Sequence, residues 1–143
     1  MSTRWSDEFF KSLASKRRKA ETAQAELDAQ RWHPVTMAGA TRAGWRSDHT
    51  ALDAIGSIRA EGRAARIRRE YNDQLSRADG YLAEIREANP ANGNKWSEAL
   101  RLRYVVGLEW SMVAERMGAC ERSVYLWHRT ALDWLDAHVA PGL

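Results

Sequence analysis

Apolar residues recur at helical spacing along most of the chain, and the interruptions between them divide it into five stretches. Over residues 6–31, Phe9, Leu13, Ala20, Ala23 and Leu27 form a narrow stripe, closer to a coiled-coil seam than to a broad core face. Ser6 is placed to cap this helix, with Asp7 and Glu8 at the positive end of its dipole. Residues 32–47 carry Pro34, Gly39 and Gly44 among small polar residues and are expected to form a loop. Asp48 then stands as the N-cap of a long second helix reaching about Ala88. Along it Ile55, Ile58, Ala64, Ile67, Tyr71, Leu75, Ala78, Leu82 and Ile85 recur at near-helical spacing. Gly56, Gly62 and Gly80 weaken it, each by roughly 1 kcal/mol relative to alanine. A helix this long with one narrow stripe needs a partner along its length. The first helix, folded back as an antiparallel hairpin, covers part of it. A second copy would cover the remainder, so a homo-oligomer is expected, with a dimer favoured.

The run Asn89-Pro90-Ala91-Asn92-Gly93-Asn94 ends the second helix. Pro90 disfavours helical geometry at Asn89, and Asn-Gly is a strong turn signal. The expected division is therefore a helical hairpin and oligomerisation region over residues 1–89 and a second domain over residues 95–143. Within the latter, residues 95–106 hold Trp96, Leu100, Tyr104 and Val105 on one side, and Gly107 stops them. Residues 109–117 hold Trp110, Val113, Ala114 and Met117, and Gly118 breaks the chain. Residues 121–137 hold Val124, Trp127, Ala131, Leu132 and Leu135. Two helices that cross steeply over a tight turn need a small residue on the first, a glycine in the turn and an apolar residue on the second. Ala114, Gly118 and Val124 fill these roles, with Val113, Met117 and Trp127 set to fill the wedge. The pattern predicts a helix-turn-helix; a plain three-helix bundle with a tight turn is the other arrangement that satisfies it. The fold class expected is all-α: an N-terminal antiparallel helical hairpin with a long second helix, then a C-terminal three-helix helix-turn-helix domain.

Composition supports this and adds little else. With 44% hydrophobic and 29% charged residues among 143, the chain is expected to fold as a soluble protein. Seven Trp against two Phe make tryptophan the expected source of much core bulk, with Trp110 and Trp127 assigned to the core. One Cys excludes an internal disulfide and suits a reducing, cytoplasmic setting. No signal peptide and no membrane-spanning stretch are expected. The net charge of +3 is unevenly distributed: seven basic and five acidic groups in residues 1–31, nine and eight in 32–94, six and six in 95–143. The C-terminal segment is thus neutral, which weakens any one copy as a partner for phosphate.

The stretches Gly107-Leu108-Glu109-Trp110 and Val113-Ala114-Glu115-Arg116-Met117-Gly118, followed by Val124 and Ala131-Leu132, resemble region 4 of sigma-70-type factors. More closely they resemble small phage-encoded transcriptional regulators with a sigma-region-4-like helix-turn-helix. Gly44-Trp45-Arg46-Ser47-Asp48 is similar to the glycine-bearing loop of that group, and Arg101-Leu102-Arg103-Tyr104 to the stretch before its motif. The resemblance implies a sequence-specific regulator of double-stranded DNA, of phage or prophage origin in a host bacterial cell, with host RNA polymerase as a possible further partner. It implies Glu121, Arg122, Tyr125 and Leu126 as the base-facing positions. At them the chain departs from the family. Cys120 replaces the usual Ser or Thr cap, Glu121 and Arg122 invert the usual Arg-Glu order, and Tyr125 and Leu126 stand where Arg and Gln are usual. Arg122 is the best candidate for bridging the two acceptors of guanine, and Tyr125 for packing on a thymine methyl or bonding a phosphate. Arg101, Arg103, Arg116 and Arg129 are phosphate candidates, each with a solvated surface role as its alternative.

Two other functions fit the same pattern. One is the DNA-recognition subunit of a phage packaging terminase, which also joins a helix-turn-helix to an oligomerising helical segment. The other is a protein-interaction module that has lost DNA binding, as Glu121, Leu126 and the neutral charge permit. No catalytic group, cofactor or metal site is expected: His33, His49, His128 and His138 are scattered, and Trp45 stands where a phosphate-binding loop after Gly39 would need lysine. Lys16, Arg17, Arg18 and Lys19, and the arginines at 59, 63, 66, 68, 69 and 77, are expected as solvated faces, with a second DNA-binding strip as the alternative.

Overall fold

A computed structural model describes residues 5–31 and 46–140. All regular structure among them is helical: α1 (Trp5–Arg31), α2 (Arg46–Ala88), α3 (Gly93–Leu100), a π-helical stretch (Arg101–Val106), α4 (Trp110–Met117) and α5 (Glu121–His138). The all-α class expected from periodicity thus holds. No described helix is long and apolar enough to cross a membrane. Of the expected loop, residues 32–45 lie outside the described residues. Arg46 and Ser47 already belong to α2, so Asp48 sits inside that helix rather than capping it.

The chain forms two compact units, Met1–Ser15 with Asn72–Leu143 and, separately, Lys16–Tyr71. In the first, the sealed apolar side chains come from distant parts of the sequence: Phe10 and Leu13 of α1, Leu82 and Ile85 of α2, Leu100 of α3, and Leu132 and Leu135 of α5. Ser6 is fully buried here. Its backbone N–H donates to Asp136 Oδ1 at 3.1 Å and its hydroxyl donates to the Leu132 carbonyl at 3.0 Å. The expected role of Ser6 as a cap is therefore replaced. The helix begins one residue earlier, and an early N–H, which has no partner within its own helix, is satisfied by a carboxylate from α5. Phe9, expected on the buried stripe, is half-buried, and its neighbour Phe10 points inward. Phe9 instead packs edge-on against Tyr81, with the Arg77 guanidinium 5.8 Å from its ring centre.

Gly93 explains how closely α3 follows α2. A Cβ at this position would stand 2.5 Å from the Ile85 carbonyl oxygen and 2.8 Å from Arg86 Cα, both backbone atoms. The glycine therefore permits a contact that a side chain would block. Beyond α3 the helix widens. The N–H groups of Gly107 and Leu108 both reach the Leu102 carbonyl, at 3.1 and 3.0 Å, and Gly107 closes the stretch with φ of 88°. The expected face of Trp96, Leu100, Tyr104 and Val105 is accordingly altered. Leu100 and Tyr104 are buried, Trp96 and Val105 are half-buried, and Ala99 and Leu102 turn inward as well.

Among the described residues, tryptophan does not supply the interior. Trp5, Trp96, Trp110, Trp127 and Trp134 are all half-buried, and leucine, isoleucine, valine and phenylalanine fill the space expected for them. An indole is large and carries an N–H, which favours the edge of a core over its centre, although Trp5 Nε1 is itself buried without a hydrogen-bond partner among the described residues.

In the second unit the only described side chains sealed from solvent are Leu27 and Ala64; Ala20, Ala23, Ile67 and Tyr71 are half-buried. Arg68 donates to the Gln24 side chain. Ile55 and Ile58, expected on the buried stripe, are 49% and 68% exposed. The arginines at 59, 63, 66, 68 and 69 are exposed too.

Candidate nucleic-acid interface

The site is built on α4, α5 and the three residues between them. Gly118 ends α4 in the left-handed region, with φ of 65°, and its N–H and that of Ala119 return to the carbonyls of Glu115 and Ala114. A left-handed residue after the last helical turn is a common helix stop, and glycine adopts it without steric cost. Cys120 then takes an extended conformation and α5 begins at Glu121. No side chain caps this helix; the Cys120 thiol instead lies 3.2 Å from the Ser123 hydroxyl. That hydrogen bond pulls the exposed thiol below its ordinary pKa.

Behind the turn, Ala99, Leu102, Val113, Ala114 and Val124 form one buried cluster, with Leu108, Trp110, Met117, Ala119 and Trp127 packed around it. Ala114 and Val124, singled out in the sequence for a close helix pair, are 5% and 0% exposed. Trp110 and Trp127, expected in the core, lie at its edge, each under a cation. The Arg103 guanidinium lies 4.9 Å from the Trp110 ring centre, and the Lys95 ammonium 5.3 Å from that of Trp127.

The residues of α5 sort by face. Val124, His128, Ala131, Leu132 and Leu135 are buried, whereas Glu121, Arg122, Tyr125, Leu126 and Arg129 are exposed. The four expected base-facing positions therefore share one open surface on the first turns of α5. It is only partly polar, because Tyr125 and Leu126 are 45% and 55% exposed and Met112 of α4 is 42% exposed. Tyr125 also packs edge-on against Trp110, with ring centres 5.3 Å apart.

The four expected phosphate arginines separate into two pairs that line different recesses. Arg101 and Arg116 line an open recess of about 510 Å³ floored by Leu102, Met117 and Trp127, with Lys95 on its rim. Arg103 and Arg129 line a smaller pocket of about 250 Å³ together with Tyr104, Tyr125 and His128. With about 100° per helical residue, Trp127 lies roughly 200° around α5 from Tyr125, so the recess meets a different side of the helix from the pocket, which shares Tyr125 and Arg129 with the open surface. The arginines differ in freedom. Glu98 holds Arg101 through bonds of 2.9 and 2.5 Å, which lowers the pKa of the Glu98 carboxyl and raises that of the guanidinium. Arg103 donates to the Leu108 carbonyl at 3.0 Å while lying over Trp110. Arg116 and Arg129 are exposed.

Sequence reasoning missed the polar pair beneath the pocket. His128 is 4% exposed, and its Nε2 and the Tyr104 hydroxyl share a hydrogen bond of 2.8 Å. Nδ1 is buried without a partner among the described residues. Burial lowers the histidine pKa to about 4; Asp7 opposes this and Arg129 and Arg103 reinforce it. Burial also pushes Tyr104 up to about 12. Both groups are therefore neutral at physiological pH. The periodicity of α5 places residue 128 on its inward face, and that was the available signal. Among the described residues no three His, Cys, Asp or Glu side chains converge as a metal site would require.

Compared with known proteins, the chain matches no family model, no curated protein and no solved structure.

Proposed function

We propose that this protein is a non-enzymatic, sequence-specific DNA-binding regulator whose α4 and α5 act as a helix-turn-helix, with α5 lying in the major groove. One observation carries the reading: the first turns of a firmly seated helix present an open face that bears Arg122, Tyr125 and Arg129, with two arginine-lined recesses beside the helix. A recognition helix in a major groove runs between two phosphate backbones, so it needs cations on each side and hydrogen-bonding groups in the middle. Arg122 supplies the base contact, and Arg116 and Arg129 contact phosphates. Arg101, held by Glu98, shapes its recess, and Arg103, although it donates to the Leu108 carbonyl, keeps further N–H groups for phosphate. The exposed Ile55 and Ile58 support self-association through the second unit, which sets two readers on one duplex and offsets their neutral charge.

Footprinting against a selected duplex tests the roles. Arg122→Ala is expected to relax preference at one base position, costing about 1–3 kcal/mol there. Arg129→Ala is expected to weaken all sequences alike. Equal losses from both variants on every sequence would refute the assignment.

A second reading rests on Leu126, Tyr125 and Met112, whose exposed apolar surface beside Glu121 suits a protein partner. Absence of any duplex binding at low salt, with both variants inert, would favour it. Solution mass separates a regulator from a packaging subunit, because a dimer is expected for the former and a ring of many copies for the latter.

A further inference from the structure

The pocket beside Tyr125 is completed by a part of the chain far from the helix-turn-helix in sequence. Lys11 and Asp7, one turn apart on α1, line it with Arg103 and Arg129. The start of α1 is fixed there by the two Ser6 bonds to α5 and by the packing of Phe10 against Tyr104, with ring centres 5.5 Å apart. Three cations thus share about 250 Å³ with one carboxylate. A water molecule occupies about 30 Å³ of liquid, so the space admits a tetrahedral oxyanion with part of its hydration. The three cations are held differently. Arg103 is fixed by Leu108 and Trp110 and keeps further guanidinium N–H groups to donate. Lys11 is tethered to Asp7 at 2.9 Å with its side chain 67% exposed. Arg129 has no ion pair among the described residues and stands at the mouth.

We propose that this pocket seats one phosphate group, held by Lys11, Arg103 and Arg129, and that α1 is thereby part of the nucleic-acid interface. The proposal rests on the DNA-binding reading for the source of that phosphate, a duplex backbone alongside α5. The pocket itself stands without it, because a free phosphate ion presents the same oxygens. Asp7 acts as a brake: it orients Lys11 and also sets a negative charge beside the anion.

The test uses the full chain with Lys11→Gln and Asp7→Asn, both checked by thermal unfolding. Duplex affinity is measured across a salt series, and inorganic phosphate is titrated into the DNA-free protein while the imidazole and ring resonances of His128 and Tyr104 are followed. Each phosphate contact contributes about 0.9 to the slope of log affinity against log salt. Lys11→Gln is expected to lower that slope by up to about 0.9 and weaken every sequence equally, whereas Asp7→Asn is expected to tighten binding. That pattern identifies the duplex backbone as the source. Phosphate-dependent shifts that Lys11→Gln abolishes, with an unchanged duplex slope, identify a free phosphorylated solute. If neither the slope nor the titration responds to Lys11→Gln, the proposal is overturned. If no duplex binds at all, the DNA-binding reading falls, and the titration still decides the pocket.

Discussion

At the scale of single residues, His128 makes the sharpest demand on solution conditions. It is buried and neutral in the folded chain, with its pKa lowered to about 4, whereas an unfolded histidine titrates near 6.5. Below the unfolded value the unfolded chain binds a proton that the folded chain refuses. Stability is therefore full above about pH 7 and falls as pH drops toward 4, by at most about 3 kcal/mol. Urea unfolding between pH 4 and 7 should show this slope, and His128→Gln should flatten it. The glutamine keeps a side-chain oxygen able to accept from Tyr104. A slope that survives in the variant would assign the effect to another group. Position 128 was legible in the sequence as part of an inward helix face. Its hydrogen bond to Tyr104 was not, because the partner lies on a helix whose widening the sequence does not announce.

At the scale of elements, two glycines have opposite requirements, and one substitution separates them. Gly118 has a left-handed backbone and open space around its Cα, so Gly118→Ala costs conformational energy alone, roughly 1–2 kcal/mol. Gly93 has ordinary helical geometry and no space, so Gly93→Ala forces α2 and α3 apart, with an overpacking cost of about 1–3 kcal/mol. Both are expected to lower the unfolding midpoint, but only Gly93→Ala should shift the amide resonances of Ile85 and Arg86 throughout the contact. The role of Gly118 followed from its place between two apolar periods. That of Gly93 did not: Asn-Gly signals a turn, and here the glycine is instead the first, buried residue of α3. Helix limits for α1, α4 and α5 were legible to within about two residues, as capping and glycine signals allow.

At the scale of the whole molecule, the start of α1 belongs to the same compact unit as α3, α4 and α5. Phe10→Ala is therefore expected to destabilise the C-terminal helices by about 3–5 kcal/mol, the cost of emptying a sealed phenylalanine site. Unfolding followed by tryptophan fluorescence and by amide exchange in α5 should report the same loss. Protection in α5 that is untouched by the variant would contradict the packing. The periodicity of apolar residues by itself determined that the chain is helical, where its helices break and which side of α5 stays open, because these depend on neighbours within a few residues. Only the tertiary structure decided that Ser6 and Phe10 support the C-terminal helices, that Trp110 and Trp127 stay at the core's edge under cations, and that the arginines divide between two recesses. The first of these depends on contacts between residues more than ninety positions apart, and the others on packing between separate helices, where burial and hydrogen-bond satisfaction outweigh local preference.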